Sequence, residues 1–437
     1  MSYSMRLLRA PAAGIAFAVL LAGCSGTSNG GASSTGADSV KGNIRMSYWG
    51  SSSRVTKTNA ITQLFQKQYP QATAQPQLGT WTTYFQKLNV QAASKTLPDV
   101  ITLQTRQLAD YTGTGVLLPL DSMVKSGEIN VSNIPPTVLN SGRGADGKLY
   151  MIPYGVAYNA LGINQAMAKQ YNIPALPNTY TWDEFVTWLK DAKSKLPAGV
   201  APTSEQGGLE PVFSAWVISN GEKMFNSSGK IGFPKSTLTT FWNNWEQLRK
   251  QGLTTSMQNQ VDEPVALEQF YLTTGKALSE QIAGNALAPI DAAAPALNVT
   301  EVPFATGSAG LGNMFFTNGY SIAANSQNQA TAAAFINFWT NNDAGAKIYN
   351  SDNGVVANTK QLAAQMNDAS ATAATKQELA VYNFILSKKV PQPTIPSGYN
   401  ATFEQSFLRE YENVAFGKET VSQAVDAFFT EANASLK

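Results

Sequence analysis

The chain has 437 residues, with 31 Lys plus Arg against 29 Asp plus Glu, one cysteine and no histidine. The missing histidine excludes Ser-His-Asp and Cys-His nucleophiles and histidine-bearing zinc sites, and a near-zero formal charge, +2 for the chain, argues against nucleic acid or a broad anionic surface as partner. Charged residues are only 14% of the chain, against roughly 25% in average proteins; Asn, Gln, Ser and Thr fill the polar positions, which suits a ligand that is polar but uncharged.

Arg6 and Arg9 open the chain and are followed by an apolar run from Ala12 to Ala22. That is the layout of a secretory signal, too short to span a bilayer as a stable helix. The ending Leu21-Ala22-Gly23-Cys24 resembles a bacterial lipobox. The resemblance implies cleavage before Cys24, diacylglycerol on its sulfur, and a protein anchored to the outer face of the bacterial cell membrane. Without residues 1–23 the chain keeps 414 residues, room for two or three domains, with 29 basic and 29 acidic side chains. With its thiol acylated it has no disulfide, so core packing must hold it. From Cys24 to residue 42 the Ser/Gly-rich composition reads as a flexible tether.

Order is expected from "NIRMSYWG", where Ile44, Met46 and Tyr48 alternate as in a strand. A loop at Gly50 leads to "TNAITQLFQKQYP", whose Ile61, Leu64, Phe65 and Tyr69 have helical spacing and whose Pro70 ends the helix. "WTTYFQKLNVQAASKT" carries a second helical face, and "PDVITLQ" reads as a short buried strand before another helix. Strand, loop, helix, strand is the pattern of an α/β layer. "GKLYMIPYGVAYNALGIN" (147–164) is a long β-prone run. "TYTWDEFVTWLKDAK" opens with a capping box of Thr181 and Glu184 and has Trp182, Phe185, Val186 and Leu189 as its inner stripe. "TLTTFWNNWEQLRKQG" repeats the device with Leu238, Phe241, Trp242, Trp245 and Leu248, and Gly252 stands where a helix cap belongs. "TNGYSIAANSQNQATAAAFINFWT" reads as strand, turn, helix with Phe335, Ile336 and Trp339 inward, and "TVSQAVDAFFTEANASL" is a final amphipathic helix. After Cys24 no apolar stretch approaches 18 residues, and no EF-hand loop, P-loop or strand-borne G-x-G-x-x-G occurs. Carboxylate-pair chemistry is the one catalytic class left open.

Eight phrases in order, "SYWG", "FQKQYP", "YFQKLNVQAASKTLPDV", "YTGTGVLLPLD", "DGKLYMIPYGV", "TWDEF", "FYLTTGKA" and "FTNGYSIAANS", resemble the family 1 extracellular solute-binding proteins of ABC importers, the branch that includes maltose-binding protein. The resemblance implies an α/β, two-lobed periplasmic-binding-protein-like fold of type II-like form, with the ligand in a cleft between lobes joined by three hinge crossings. Lobe one would take 43–155 and 306–352, and lobe two 159–301 and 355–437, with crossings near 156–158, 302–305 and 353–354. It further implies a monomeric binding protein rather than an enzyme, without cofactor or metal. Its partners would be a sugar or oligosaccharide, the permease subunits of an ABC transporter and, through the lipid, the membrane. A ligand held by both lobes only when they shut would stabilise closure by that difference in contact.

A sugar needs aromatic faces beside planar donors and acceptors, and the loops expected at the cleft offer both. Trp49 and Ser51 follow the first strand, at the family's contact position, although Trp49 has an equal structural reading as packing under the loop. Trp81 opens a helix and is open to the same two readings. Gln104 and Arg106 fall at or beside the family's Asp-Arg pair; Arg106 either forks onto hydroxyls or pairs with Asp110. Tyr154 and Tyr158 flank the first crossing. Glu210, Pro211 and Phe213 resemble the family's Glu-Pro-Tyr, and Trp216 and Asn220 match its following Trp and Gly-Gly, with a buried helix as the bland account of Trp216. Where relatives have Gly-x-Trp the chain has Asn285 and Ala286, leaving Gln281 and Asp291 nearby as candidates. Asn313, in a glycine-rich return to lobe one, and Tyr399, in a late loop, complete the set. Alternatives are the same fold with a polyol, a glycerol phosphate derivative or a peptide as cargo, for which Arg54 and Lys57 would join Arg106 in holding a phosphate. Others are a glycoside hydrolase built on Glu210 and Asp291, whose acids must stand roughly 5–9.5 Å apart, and an adhesion protein.

Overall fold

The computed structural model describes residues 40–50, 52–257 and 270–437, all within one compact unit, Ala37–Lys437. Cys24, the signal, most of the tether and Ser51 lie outside the described residues. Among the described residues nine strands form one sheet: β1 Gly42–Trp49, β2 Ala72–Gly79, β3 Val100–Gln104, β4 Ile152–Asn164, β5 Ala201–Thr203, β6 Ala277–Ala283, β7 Val299–Val302, β8 Phe315–Ile322 and β9 Val355–Val356. Their order is β2-β1-β3-β8-β4-β6-β5, with β7 and β9 also on β4.

The first half is the α/β layer expected from the alternating motifs. β1 runs parallel to β2 from Gly42↔Ala72 to Trp49↔Gly79 and parallel to β3, with the helices Ser52–Gln68 and Trp81–Ala93 between them. β8 closes this half antiparallel to β3. Ile44 and Met46 are fully buried, as their alternation requires.

β4 belongs to both halves. Ile152 to Tyr158 pair with β8, whereas Asn159 to Ile163 pair with β6 and Leu161 to Asn164 with β7. A strand at the centre of a sheet is covered on both faces and so reads as a nearly continuous apolar run, which is why 147–164 looks unlike the strands before it. β9 lies against the same strand so closely that a Cβ on Gly155 would stand 2.4 Å from the Asn353 carbonyl oxygen. Gly354 has φ +95° with Val156 backbone at 2.8–2.9 Å from its own ideal Cβ. Only glycine fits either position.

Packing follows the two halves. In one core Phe65, Tyr154, Tyr320, Phe335 and Trp339 meet; in the other, Phe213, Phe241, Trp242, Trp245, Phe403, Phe407 and Phe428 do. A third cluster, with Trp49, Tyr84, Leu103 and Tyr111, covers the opposite face of the first half. Full burial of one such side chain stabilises by roughly 1.5–3 kcal/mol, and these cores hold a chain that has a single cysteine. The capping box at Thr181 forms, with Glu184 N–H donating to Thr181 Oγ1 at 3.3 Å and Thr181 N–H to Glu184 Oε2 at 2.7 Å. Leu238, Phe241, Trp242, Trp245 and Leu248 are all buried, and Gly252 adopts φ +67° just past the helix Lys235–Lys250. The stretch 355–437 divides its contacts: Leu362 joins the core of Trp339 and Tyr349, while Phe403, Phe407 and Phe428 join that of Trp242. Among the described residues no helix is long and apolar enough to cross a membrane.

Candidate functional site

The two halves meet through an ion-paired cluster at Arg106. β3 ends at Gln104, and Thr105 starts the helix Thr105–Thr112. Thr105 Oγ1 is held by Thr317, accepting from its N–H at 2.7 Å and facing its carbonyl at 3.1 Å. The next residue is therefore carried on a fixed strand end. Its guanidinium lies over the Phe316 ring, with Cζ 3.8 Å from the centroid, a cation–π contact that also shields one face from water.

Two carboxylates from the second half answer that cation. Arg106 Nη1 is 3.2 Å from Glu404 Oε1, and Nη2 is 3.8 Å from Glu210 Oε2. Glu210 opens the helix Glu210–Ser219, and Glu404 stands in the π-helical turn Asn400–Ser406. One turn beyond Arg106, Asp110 accepts from the Ser397 hydroxyl at 2.5 Å and from Gly398 N–H at 3.3 Å. A single helix of the first half thus holds two segments of the second.

Electrostatically the cluster is buried and incompletely satisfied. Burial pushes the Glu210 carboxyl above its ordinary range, with Arg106 pulling the other way. Burial opposes the Arg106 charge, but Glu404, Tyr399 and Glu210 outweigh it and raise the guanidinium further. Burial, reinforced by Glu210, raises the Tyr399 hydroxyl well above its usual value. Arg106 Nε, both Glu210 oxygens and the Tyr399 hydroxyl make no hydrogen bond of good geometry among the described residues, although Tyr399 and Ser214 lie near enough to Glu210 to favour its charge. Leaving a buried polar group unpaired costs about 1–3 kcal/mol, so the cluster holds an unmet demand for hydrogen bonds. Beneath the cluster Gln104 donates to Asn318 at 3.1 Å, Asn318 to the Asn353 carbonyl at 2.8 Å, and Asn353 to the Tyr154 hydroxyl at 2.8 Å. Gln104 Oε1 has no partner there.

The structure therefore brings Gln104, Arg106, Glu210 and Tyr399 into one neighbourhood and places the other sequence candidates elsewhere. Trp49 is 6% exposed and packs against Tyr84 and Phe85 at ring distances of 5.3 and 5.4 Å, the packing alternative for that residue. Trp81 begins its helix; its side chain is not among the described ones. Tyr154 sits within the first core beside Tyr320 and Tyr349. Tyr158 is fully buried, its hydroxyl between the Glu301 carboxylate and, at 2.8 Å, the Glu378 carbonyl. Phe213 is fully buried among Phe233, Phe241 and Phe407.

Trp216 and Asn220 lie toward the far end of the Glu210 helix and line a groove there. Successive helical residues turn by about 100°, so residues six apart point some 120° away from each other. One helix cannot aim Glu210 and Trp216 at the same point. Gln281 and Asn313 meet at Asn159, where β4 changes partners: Gln281 donates to Asn159 Oδ1 at 2.6 Å and Asn313 to its carbonyl at 2.7 Å. Asp291 stands half-buried on the helix Leu287–Ala293, with no ion pair among the described residues, and the acid beside Glu210 is Glu404 instead. Arg54 and Lys57 share one carboxylate, Asp352, at 2.5 and 2.9 Å, which offsets half of the positive charge they would offer a phosphate.

Glu404 and Phe316 are the residues that sequence reasoning missed. The one usable signal was Glu404 five residues after Tyr399, one helical turn further along the same late segment.

Comparison with known proteins matches residues 50–346 to the model of the bacterial extracellular solute-binding protein family. A family 1 extracellular solute-binding protein from Alicyclobacillus acidocaldarius superposes with a TM-score of 0.70 at 25% identity, over 90% of this chain and 98% of that one. The GacH receptor of Streptomyces glaucescens, solved free and with acarbose, gives 0.73 at 17% identity over 91% and 98%. A periplasmic oligogalacturonide-binding protein of Yersinia enterocolitica, solved with saturated digalacturonic acid, gives 0.74 at 18% identity over 90% and 100%.

Proposed function

The chain belongs to the bacterial extracellular solute-binding protein family, and from that premise we propose that it captures a neutral sugar or oligosaccharide between its two lobes and hands it to an ABC importer. The observation that carries this reading is the Arg106 cluster. A cation from one half faces two carboxylates from the other, with four buried polar atoms lacking a well-formed hydrogen bond and an aromatic ring alongside. Sugar hydroxyls both donate and accept, so they suit Glu210 Oε1 and Oε2 as acceptors and Arg106 Nε as donor. The sugar-binding neighbours, one with acarbose and one with digalacturonic acid, support a carbohydrate ligand; its neutrality rests on the composition of this chain.

Closure is the step that the ligand drives. Moving a two-state equilibrium from 1:99 to 99:1 takes about 5.5 kcal/mol of differential binding. Hydrogen bonds to charged groups contribute roughly 1.5–3 kcal/mol each, so two to four of them at this cluster suffice. β4 is shared by both sheet halves and changes partner between Tyr158 and Asn159, which is where a closing motion would bend it. Acylation at Cys24 would hold the receptor beside its permease; mass spectrometry of the exported protein tests that anchor.

Calorimetry with neutral mono- and oligosaccharides, set beside oligogalacturonates and glycerol phosphates, tests the ligand class. Binding of a neutral sugar, lost in Arg106→Ala, is expected; binding only of the anionic members would overturn it. Hydrolysis of an aryl glycoside on long incubation would instead favour a catalytic role for Glu210 and Glu404.

A further inference from the structure

The helix Glu210–Ser219 serves two places. Glu210 at its start belongs to the Arg106 cluster, while Trp216 and Asn220, about 9–15 Å further along the axis at 1.5 Å per residue, open onto a groove of about 650 Å³. Most residues lining that groove fall within 181–251. The rest, 305–308, belong by sequence to the crossing and to lobe one, but they are bound to the second half, with Thr306 N–H donating to the Tyr180 carbonyl at 2.7 Å and Ala309 N–H to the Ser219 carbonyl at 2.7 Å.

Its chemistry is specific. Trp182 and Trp216 are only half-buried, and their rings meet edge to face at 5.4 Å. Trp245 braces the first from behind at 5.6 Å, and Phe241 the second at 6.0 Å. The indole surfaces are thus held in place before anything binds, and a ligand need not order them. Asn244, Gln247 and Gln251 line the same groove with side-chain amides that form no hydrogen bond among the described residues. The only charges on the rim are Asp183 and Lys190, one of each sign. Fixed aromatic faces with free neutral amides and no net charge match a pyranose, whose C–H face is apolar and whose edge is hydroxyl. The volume falls within the roughly 300–1,000 Å³ of ordinary ligand sites.

We propose that this groove is a second carbohydrate-binding site, which takes a segment of a neutral glycan chain independently of the interlobe cleft. The chain is supplied either as a free oligosaccharide or as the polymer from which it comes. A surface site of this kind keeps the receptor on its source of cargo.

The test reads the indole N–H signals of the eight tryptophans by NMR, with Trp182 and Trp216 assigned from their Phe substitutions. Cellobiose, xylobiose and maltotriose are the soluble probes. Co-sedimentation with insoluble cellulose, xylan and starch is the polymer arm. Saturable shifts of Trp182 and Trp216 are expected in the wild type and equally in Arg106→Ala, which silences the cleft. Replacing Asn244 and Gln247 together with alanine should weaken them about tenfold through two lost hydrogen bonds; neither side chain supports the fold. The proposal is overturned if no probe in either arm engages the groove, if the shifts vanish in Arg106→Ala and so report closure, or if the double substitution leaves them unchanged. Shifts without any cleft binding by calorimetry would refute the proposed function and leave the groove standing.

Discussion

Arg106 Nη1 lies 3.2 Å from Glu404 Oε1, across the line where the two halves of the molecule meet. Glu404 is about a third exposed, at 34% of its side-chain surface, whereas Glu210 on the other side of the guanidinium is 3% exposed. The outer pair is therefore screened and exchangeable, and the inner one is not. Arg106→Ala leaves the Glu210 carboxylate buried without its counter-charge, which costs several kcal/mol when one partner of a buried pair is removed. Sugar affinity should fall by about 10–150-fold, from one lost charge-assisted hydrogen bond of roughly 1.5–3 kcal/mol, as read by calorimetry. Glu404→Gln should change affinity by less than Glu210→Gln.

Asp110 gives a second handle on closure because it accepts from Ser397 and Gly398 without touching the Arg106 cluster's unpaired atoms. Asp110→Asn weakens those bonds to neutral ones, roughly halving their strength. The free protein should then open, giving a larger radius of gyration by small-angle scattering, and saturating sugar should restore the wild-type value. An unchanged radius in the free variant would show that this contact does not hold the halves together.

The hinge-side glycines can be tested by stability. Gly354→Ala forces a side chain onto φ +95° and drives its Cβ to 2.8 Å from the Val156 carbonyl carbon. Backbone strain of this kind costs about 1–3 kcal/mol, and β9 should detach locally from β4. Denaturant unfolding should show that loss. Sugar affinity should fall as well, because Asn353, the preceding residue, carries the amide chain up to Gln104.

The periodic parts of this fold were legible because their cause is local. The helix Trp182–Lys195 has a 3.6-residue stripe and a capping box four residues long, and β4 betrays its central place by a run of apolar residues covered on both faces. The site was less legible, for reasons that are physical. Tyr154 and Tyr158 are four apart on one strand, so period two puts them on the same face, but the sequence does not say which face is the cleft. Both point into cores or toward Glu301 and Glu378. The family motif puts Trp216 with Glu210, although helical rotation separates them. Glu404 reaches Arg106 only because a π-helical turn packs near a helix some 300 residues earlier, and no local pattern encodes that meeting.

Buried carboxyls make the stability fall as pH rises. Glu378 is pushed up to about 8 by burial, and Glu301 beside it is raised well above the ordinary range by burial, with Glu378 adding to the effect. Glu205 is pushed up to about 7 by burial, although Gly207 N–H, Thr254 and Tyr411 bond to it. Each of these groups keeps its proton in the folded chain at a pH where the unfolded chain, with carboxyls near 4.3, has lost it. The folded state thus binds more protons between about 4.3 and 8. The stabilisation is fully present below the lower value and is lost as pH climbs through the upper one. Melting temperature should fall steadily from pH 5 to pH 9, and Glu378→Gln, which keeps the shape without the titration, should flatten the upper part of that slope. A melting temperature that rises over the same interval, or a Glu378→Gln profile parallel to the wild type, would mean that these carboxyls ionise freely in the folded protein.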